Sequence, residues 1–351
     1  MLFFLSMALA APVTELPPFL RGDLAFGYDL DTLSSGLVET RGAERVDVGS
    51  RSVTAHTVRI DAVFAVAPGA AVYLQIPPYQ SSFVKFEGAS NMVYDPASGS
   101  GTYEGMPADL SGKQYAGSGL GGVWLGARGT PFSEAFPGRN NKSTWLLDLG
   151  FRIGDKQDTY YVDAAGKRGA GPGAPAVRLS SAFSKNFGNS APYMSVALTK
   201  NNAYDRNVQA DSGEVIFDST TTNGKDFDQG RQGALRIGVD IGTPTHPDTG
   251  ARFSFDLFGA VDYTSFRVVP SGYYLPGVLS ASVGTPTQMA ESLDLGGGLG
   301  IHWRPAKYVQ INLGGTGFAH LPQRVENYYD VHTAGDGLRV VVLSDVTVRF
   351  R

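Results

Sequence analysis

Apolar and polar side chains alternate along this chain with a period of two, in bursts separated by gaps rich in Gly, Pro and polar residues. That period belongs to an extended strand, whose successive side chains point to opposite faces. Twelve such runs occur, at 22–30, 57–66, 70–77, 121–129, 144–154, 175–184, 193–200, 234–242, 252–266, 292–304, 308–318 and 338–351. In "TVRIDAVFAV" (57–66), Val58, Ile60, Ala62 and Phe64 share one face. The closing run "LRVVVLSDVTVRFR" sets Leu338, Val340, Val342, Ser344, Val346, Val348 and Phe350 against Arg339, Val341, Leu343, Asp345, Thr347, Arg349 and Arg351. An ordinary soluble strand averages about 5–6 residues. A strand that crosses a bilayer at a steep tilt needs about 9–11.

The gaps sharpen this picture. Short connections at 67–69, 133–142, 185–192, 243–250 and 305–307 alternate with long ones at 31–51, 78–118, 155–174, 201–231, 268–289 and 321–337. Strict alternation of short turns with long loops, on an even number of strands, is the pattern of a transmembrane β-barrel with short periplasmic turns and long extracellular loops. A Greek-key sandwich gives no reason for it. Aromatic residues flank the short turns (Phe132, Phe136, Trp145, Phe187, Tyr193, Trp303 and Tyr308), where an interfacial girdle is expected. The predicted fold is all-β, one antiparallel transmembrane barrel of about 12 strands over 22–351, in the outer membrane of a Gram-negative envelope.

Composition agrees. Glycine (45 residues) and aromatics (20 Phe, 16 Tyr, 3 Trp) are abundant, and no run of about 18 apolar residues marks a membrane helix. The 29 Lys+Arg nearly balance the 33 Asp+Glu, so no basic field invites nucleic acid. Cysteine is absent, which excludes thiolate catalysis, disulfides and cysteine-based zinc sites. At the N-terminus, "LFFLSMALA" (2–10) ends in the small-x-small pattern Ala8-Leu9-Ala10, although no Lys or Arg follows Met1. Residues 1–10 are therefore expected to be a signal peptide, with a buried first strand as the alternative, and 11–21 a periplasmic segment.

Closure into a barrel requires the last strand to pair with the first. The C-terminal run, with Phe350 penultimate, resembles the terminal signal by which outer-membrane proteins engage their assembly machinery. "GSGLGGVWLGARGTPF" (117–132) resembles the strand opening of porin-like barrels of the phenol-degradation and fatty-acid-transporter type, with Gly122 where an acid is usual. The resemblance implies a barrel embedded in outer-membrane lipid and passing small solutes.

Apolar faces directed at lipid assign the opposite faces to the lumen. Those carry Arg59, Arg152, Arg178, Arg236, Arg304, Arg339 and Arg349, with Asp61, Asp148, Asp240, Asp256, Asp262, Asp294 and Asp345, and His302 beside Arg304. Same-strand pairs are expected for Arg59/Asp61, Asp148/Arg152, Arg236/Asp240 and Asp345/Arg349, because an unpaired charge in a low-dielectric wall is costly. They would form either a structural lattice or the wall of a weakly selective channel. A glycine seam of Gly238, Gly242, Gly296, Gly298, Gly300 and Gly314 leaves room for curvature, neighbouring side chains or solute.

Catalytic, cofactor and metal sites are expected to be absent. "GSGLGG" (117–122) fits G-x-G-x-x-G but runs into a strand, with no helix N-terminus for a pyrophosphate. No G-x-S-x-G, HExxH or Walker loop occurs, and the five histidines are scattered. Asp226 and Asp228 near glycine only partly match a calcium loop. The expected function is passive passage of small solutes. The alternatives are a non-conducting surface protein with partner-binding loops, or a secreted soluble β protein.

Overall fold

Each of the twelve alternating runs falls on one strand of a closed antiparallel barrel. The computed structural model describes residues 16–41, 44–88, 91–95, 100–105, 114–133, 143–154, 174–202, 208–209, 215–217, 228, 230–270, 286–289, 291–321, 323–326 and 331–350. The barrel strands are β1 (Gly22–Arg41), β2 (Glu44–Ala67), β3 (Ala70–Gly88), β4 (Trp124–Phe132), β5 (Ser143–Arg152) and β6 (Ala176–Lys185). They continue with β7 (Ser190–Asn201), β8 (Arg231–Gly242), β9 (Arg252–Thr264), β10 (Ser292–Ala306), β11 (Val309–His320) and β12 (Val331–Phe350). Each pairs with its neighbours in sequence, and β12 closes onto β1 from Gly22↔Phe350 to Glu39↔His332. Gly22 leaves space for the Phe350 ring, which a Cβ would meet at 2.6 Å. The expected signal peptide and Phe136 fall outside the described residues.

Several expected loops are strand instead. The gap at 31–51 is mostly hairpin, with β1 and β2 pairing as far as Arg41↔Glu44. The gap at 78–118 holds the rest of β3, a hairpin of Asn91–Asp95 with Ser100–Gly105, and the segment Gln114–Gly119, which pairs with β3. Segments Arg267–Pro270, Pro286–Met289 and Gln323–Glu326 pair in that order onto β12, above β9, β10 and β11. Alternation failed to find these pieces because a strand standing clear of the hydrocarbon needs no apolar face.

Strand β3 was expected to stop at Pro77, but it runs through Pro77 and Pro78 to Gly88. The two prolines have no N–H to give a ladder. They bulge out opposite Arg59, where the β2–β3 register jumps from Val58↔Tyr79 to Ile60↔Ile76. On the other side, pairing lapses between Gln75↔Trp124 and Gln80↔Gly119, bridged by Gly121 N–H donating to Pro77 O at 2.9 Å.

Burial follows the predicted faces. On β12, Arg339, Val341, Leu343 and Asp345 are buried, whereas Leu338, Val340, Val346, Val348 and Phe350 are exposed. Every barrel strand offers at least one exposed large apolar residue, among them Phe26, Leu125, Leu179, Ile237, Leu299 and Leu313. Phe187, Trp303 and Tyr308 are exposed near the short turns, as a girdle requires. Tyr193 is the exception: it is buried and turns inward to Asp256. A closed barrel, its backbone groups paired within the wall and its apolar residues outside, satisfies lipid all round. The chain folds as a closed β-barrel of the outer-membrane type.

Two measurements check this placement. Leu295→Arg and Leu147→Arg, on the outer face, should each weaken folding into bilayers by about 2–4 kcal/mol if near mid-membrane, read by heat-modifiable gel mobility. A cysteine placed by Ser100→Cys, in a chain with none of its own, should react with an impermeant maleimide on intact cells. Reaction only after permeabilising the outer membrane would invert the topology.

Candidate functional site

The barrel interior is built from the inward positions of every strand, and its charges organise into clusters. Of the predicted lumen residues, Arg59, Asp148, Arg152, Arg178, Arg236, Asp240, Asp256, Asp294, His302, Arg339 and Asp345 are buried, and Asp61, Asp262, Arg304 and Arg349 half-buried. The largest cluster surrounds Arg339, which is 1% exposed. Its Nε and Nη2 donate to Asp31 at 3.1 and 3.2 Å, and Nη1 donates to Asp262 at 2.8 Å and Asp294 at 3.2 Å. His320 Nδ1 meets the other Asp294 oxygen at 2.5 Å. Both oxygens of that carboxylate are thus engaged.

On β2, the other neighbour of β1, Arg59 is 2% exposed and donates through Nη1 to Asp61 at 2.8 Å. Its Nε stands 3.0 Å from Asp29, an ion pair whose N–H is not aligned as a hydrogen bond. Asp148 receives Arg128 Nε at 2.6 Å and the Tyr73 hydroxyl at 3.1 Å, with Arg178 Nε at 3.7 Å. Arg178 and Arg152 lie over the Trp124 ring, 4.6 and 5.4 Å from its centroid. Arg152 also donates to Ala174 O and Asn201 Oδ1. Toward the short-turn end, Asn312 donates to Asp345 and meets His302, Arg304 donates to Gln310, and Arg349 donates to Asp23.

Three of the four expected same-strand pairs are corrected. Only Arg59/Asp61 forms. Asp148 pairs with Arg128 and Arg178, Asp240 with Arg252 at 3.1 Å, and Arg349 with Asp23. Residues four apart on one strand are roughly 13 Å apart, whereas the adjoining strand is about 4.8 Å away, so partners are found sideways. Asp23, Asp29, Asp31, Arg128 and Arg252 were missed, although the parity that puts Leu24, Phe26 and Tyr28 outside already turns Asp23, Asp29 and Asp31 inward.

The glycine seam is not the open path. Aromatic rings take the space that its glycines leave, each opposite a glycine in register: Phe258 faces Gly238 and Gly298, Phe318 faces Gly296, and Tyr193 faces Gly238. A Cβ at Gly298 would meet Phe258 at 2.6 Å, and one at Gly296 would meet Phe318 at 2.8 Å. Tyr193, Phe258, Ala260, Phe318, Val341 and Leu343 form an apolar cluster inside the lumen. At Gly242 the space faces the Arg252 guanidinium, and Gly300 makes ordinary contacts with His302 and Asp256; Gly314 is buried. Open volume lies instead in a cavity of about 110 Å³ reached by Asp29, Asp31, Arg59, Trp124, Arg152, Arg178, Arg236, Phe318, Arg339 and Leu343.

No group of three or more His, Cys, Asp or Glu suited to a metal occurs among the described residues. Asp226 lies outside them, and Asp228 accepts the Gly230 amide at 2.8 Å, a turn-capping bond.

No family model and no curated protein sequence matches the chain. Among solved structures, it is similar to an outer membrane channel from Pseudomonas putida F1, at 11% identity over 96% of this chain and 97% of that one, with a TM-score of 0.49. A Pseudomonas aeruginosa FadL homologue is similar at 9% identity over 94% and 90%, TM-score 0.40. The outer membrane protease OmpT from Escherichia coli follows at 8% over 95% and 97%, TM-score 0.33. At such identities and scores the likeness goes no further than barrel architecture, which the strand pairing establishes by itself.

The Arg339 cluster makes a quantitative prediction. Arg339→Met strands Asp31, Asp262 and Asp294 in a buried site and should destabilise the refolded barrel by about 3–5 kcal/mol. Arg349→Met, at a half-exposed pair, should cost no more than about 1 kcal/mol. Chemical denaturation of each variant in detergent, followed by tryptophan fluorescence, compares them.

Proposed function

We propose that this barrel is a narrow channel for passive passage of small solutes across the outer membrane. The observation that carries the reading is the cavity inside the closed wall, lined by charged side chains from strands on opposite sides of the lumen. A wall meant only as a scaffold is better filled with apolar side chains, since buried ion pairs seldom outperform them. Twelve strands enclose more than the eight-stranded barrel that side chains just fill, and less than a 16-stranded porin. The Arg59 and Arg339 clusters narrow that bore, so the channel is small. Its residues are read as a path and not as catalytic groups.

A second reading, a non-conducting surface protein, draws support from the same two arginines, whose near-complete burial suits a plug. Planar-bilayer recording separates the two. Wild-type protein should give small unitary conductance, and Arg59→Ser combined with Asp29→Ser, which removes one bridge with its partner, should raise it. Silence from both, in protein shown to be folded, rejects the channel and leaves the surface role.

A further inference from the structure

Among the described residues, the inward arginines and aspartates of the barrel strands cancel in number but not in place. On β4 to β8, Arg128, Arg152, Arg178 and Arg236 face only Asp148 and Asp240. The strands from β9 through β12 to β2 carry Arg252, Arg304, Arg339, Arg349, Arg51 and Arg59 against eight aspartates: Asp23, Asp29, Asp31, Asp61, Asp256, Asp262, Asp294 and Asp345. One wall of the lumen is therefore cationic and the other anionic.

Arg236 stands out on the cationic wall. It is 8% exposed, lines the cavity and forms no ion pair among the described residues. Its guanidinium lies 5.3 Å from the centroid of the Phe258 ring, and its buried Nε has no hydrogen-bond partner. Asp240, the carboxylate expected to pair with it, is held by Arg252. The carboxylates of Asp262 and Asp256, on the adjoining β9, act on Arg236 only from beyond contact distance, and a buried cation with no directly bonded counter-charge is costly unless something supplies one. A guanidinium presents a planar fork that a carboxylate matches with two parallel hydrogen bonds. Beside it, Phe318, Val341 and Leu343 give the same cavity an apolar side. At about 110 Å³ the cavity takes a compact guest, well above the space of one water.

We infer that the cavity binds a small monocarboxylate, its charged end on Arg236 and its short hydrocarbon part against Phe318, Val341 and Leu343. As a solute class for the channel, the inference rests on the channel reading above; as a binding site, it is tested without conduction. The probe is sodium butyrate, titrated calorimetrically at constant ionic strength into the refolded barrel in zwitterionic detergent. Saturable binding is expected to wild type, none to the uncharged isostere butyramide, and at least tenfold weaker binding to Arg236→Gln. Arg304→Gln, outside the cavity lining, should bind as wild type does. Because Arg236→Gln removes a buried unpaired charge, it should melt no lower than wild type, and gel mobility verifies its fold. Absence of saturable butyrate binding, or equal binding by Arg236→Gln, overturns the proposal. Chloride competing as strongly as butyrate overturns the carboxylate assignment in favour of a simple anion. Binding with no conductance would leave the site standing and reject only the channel.

Discussion

Everything in this molecule depends on closing the hydrogen-bond ladder between β12 and β1. In hydrocarbon an unpaired backbone N–H or C=O has no water to turn to, so a sheet with an edge is not viable there. Seventeen residue pairs from Gly22↔Phe350 to Glu39↔His332 remove that edge. Once the wall is closed, each strand has only two destinations for its side chains. The outer one must be apolar; the inner one is free to be charged.

That freedom is used in two complementary ways. Four inward rings have a glycine directly opposite on an adjoining strand: Tyr73 against Gly126, Tyr193 against Gly238, Phe258 against Gly238 and Gly298, and Phe318 against Gly296. The ring fills the missing side chain's volume and covers the exposed backbone, a pairing that stabilises glycine in sheets. Elsewhere, arginines reach across one or more strands to carboxylates. Arg339, on β12, joins β1, β9 and β10 through Asp31, Asp262 and Asp294. Such bridges run around the barrel, binding strands distant in sequence.

The outward and inward faces were legible because parity survives any error in strand ends. Leu338 and Arg339 could not share a face, wherever β12 began. Partner choice was not legible: Asp148 lies four residues from Arg152, yet the register brings Arg128 directly opposite it. Register depends on how neighbouring strands slide, which a single strand's sequence does not encode. Strand extent was also hidden. Pro77 and Pro78 read as a stop, but a bulge lets β3 pass them. The polar upper half of β1 carries no apolar face to count. The role of the glycines was half visible, since the space was evident and its occupant, a ring on the next strand, was not.

The described wall is tall on one side only. Among the described residues, Arg267–Pro270, Pro286–Met289 and Gln323–Glu326 extend β9, β10 and β11, beside the long β12, β1, β2 and β3, and Gln114–Gly119 carries the sheet one strand further. Within the bilayer the sheet is a complete hoop, and squeezing it radially strains every ladder at once. Above the bilayer the described sheet is a slit tube, with its ends at 114–119 and 267–270. A slit tube flexes by opening or furling, with little change in any single hydrogen bond. Stiffness should therefore fall sharply where the hoop ends, making the described wall a rigid collar that bears a compliant crescent.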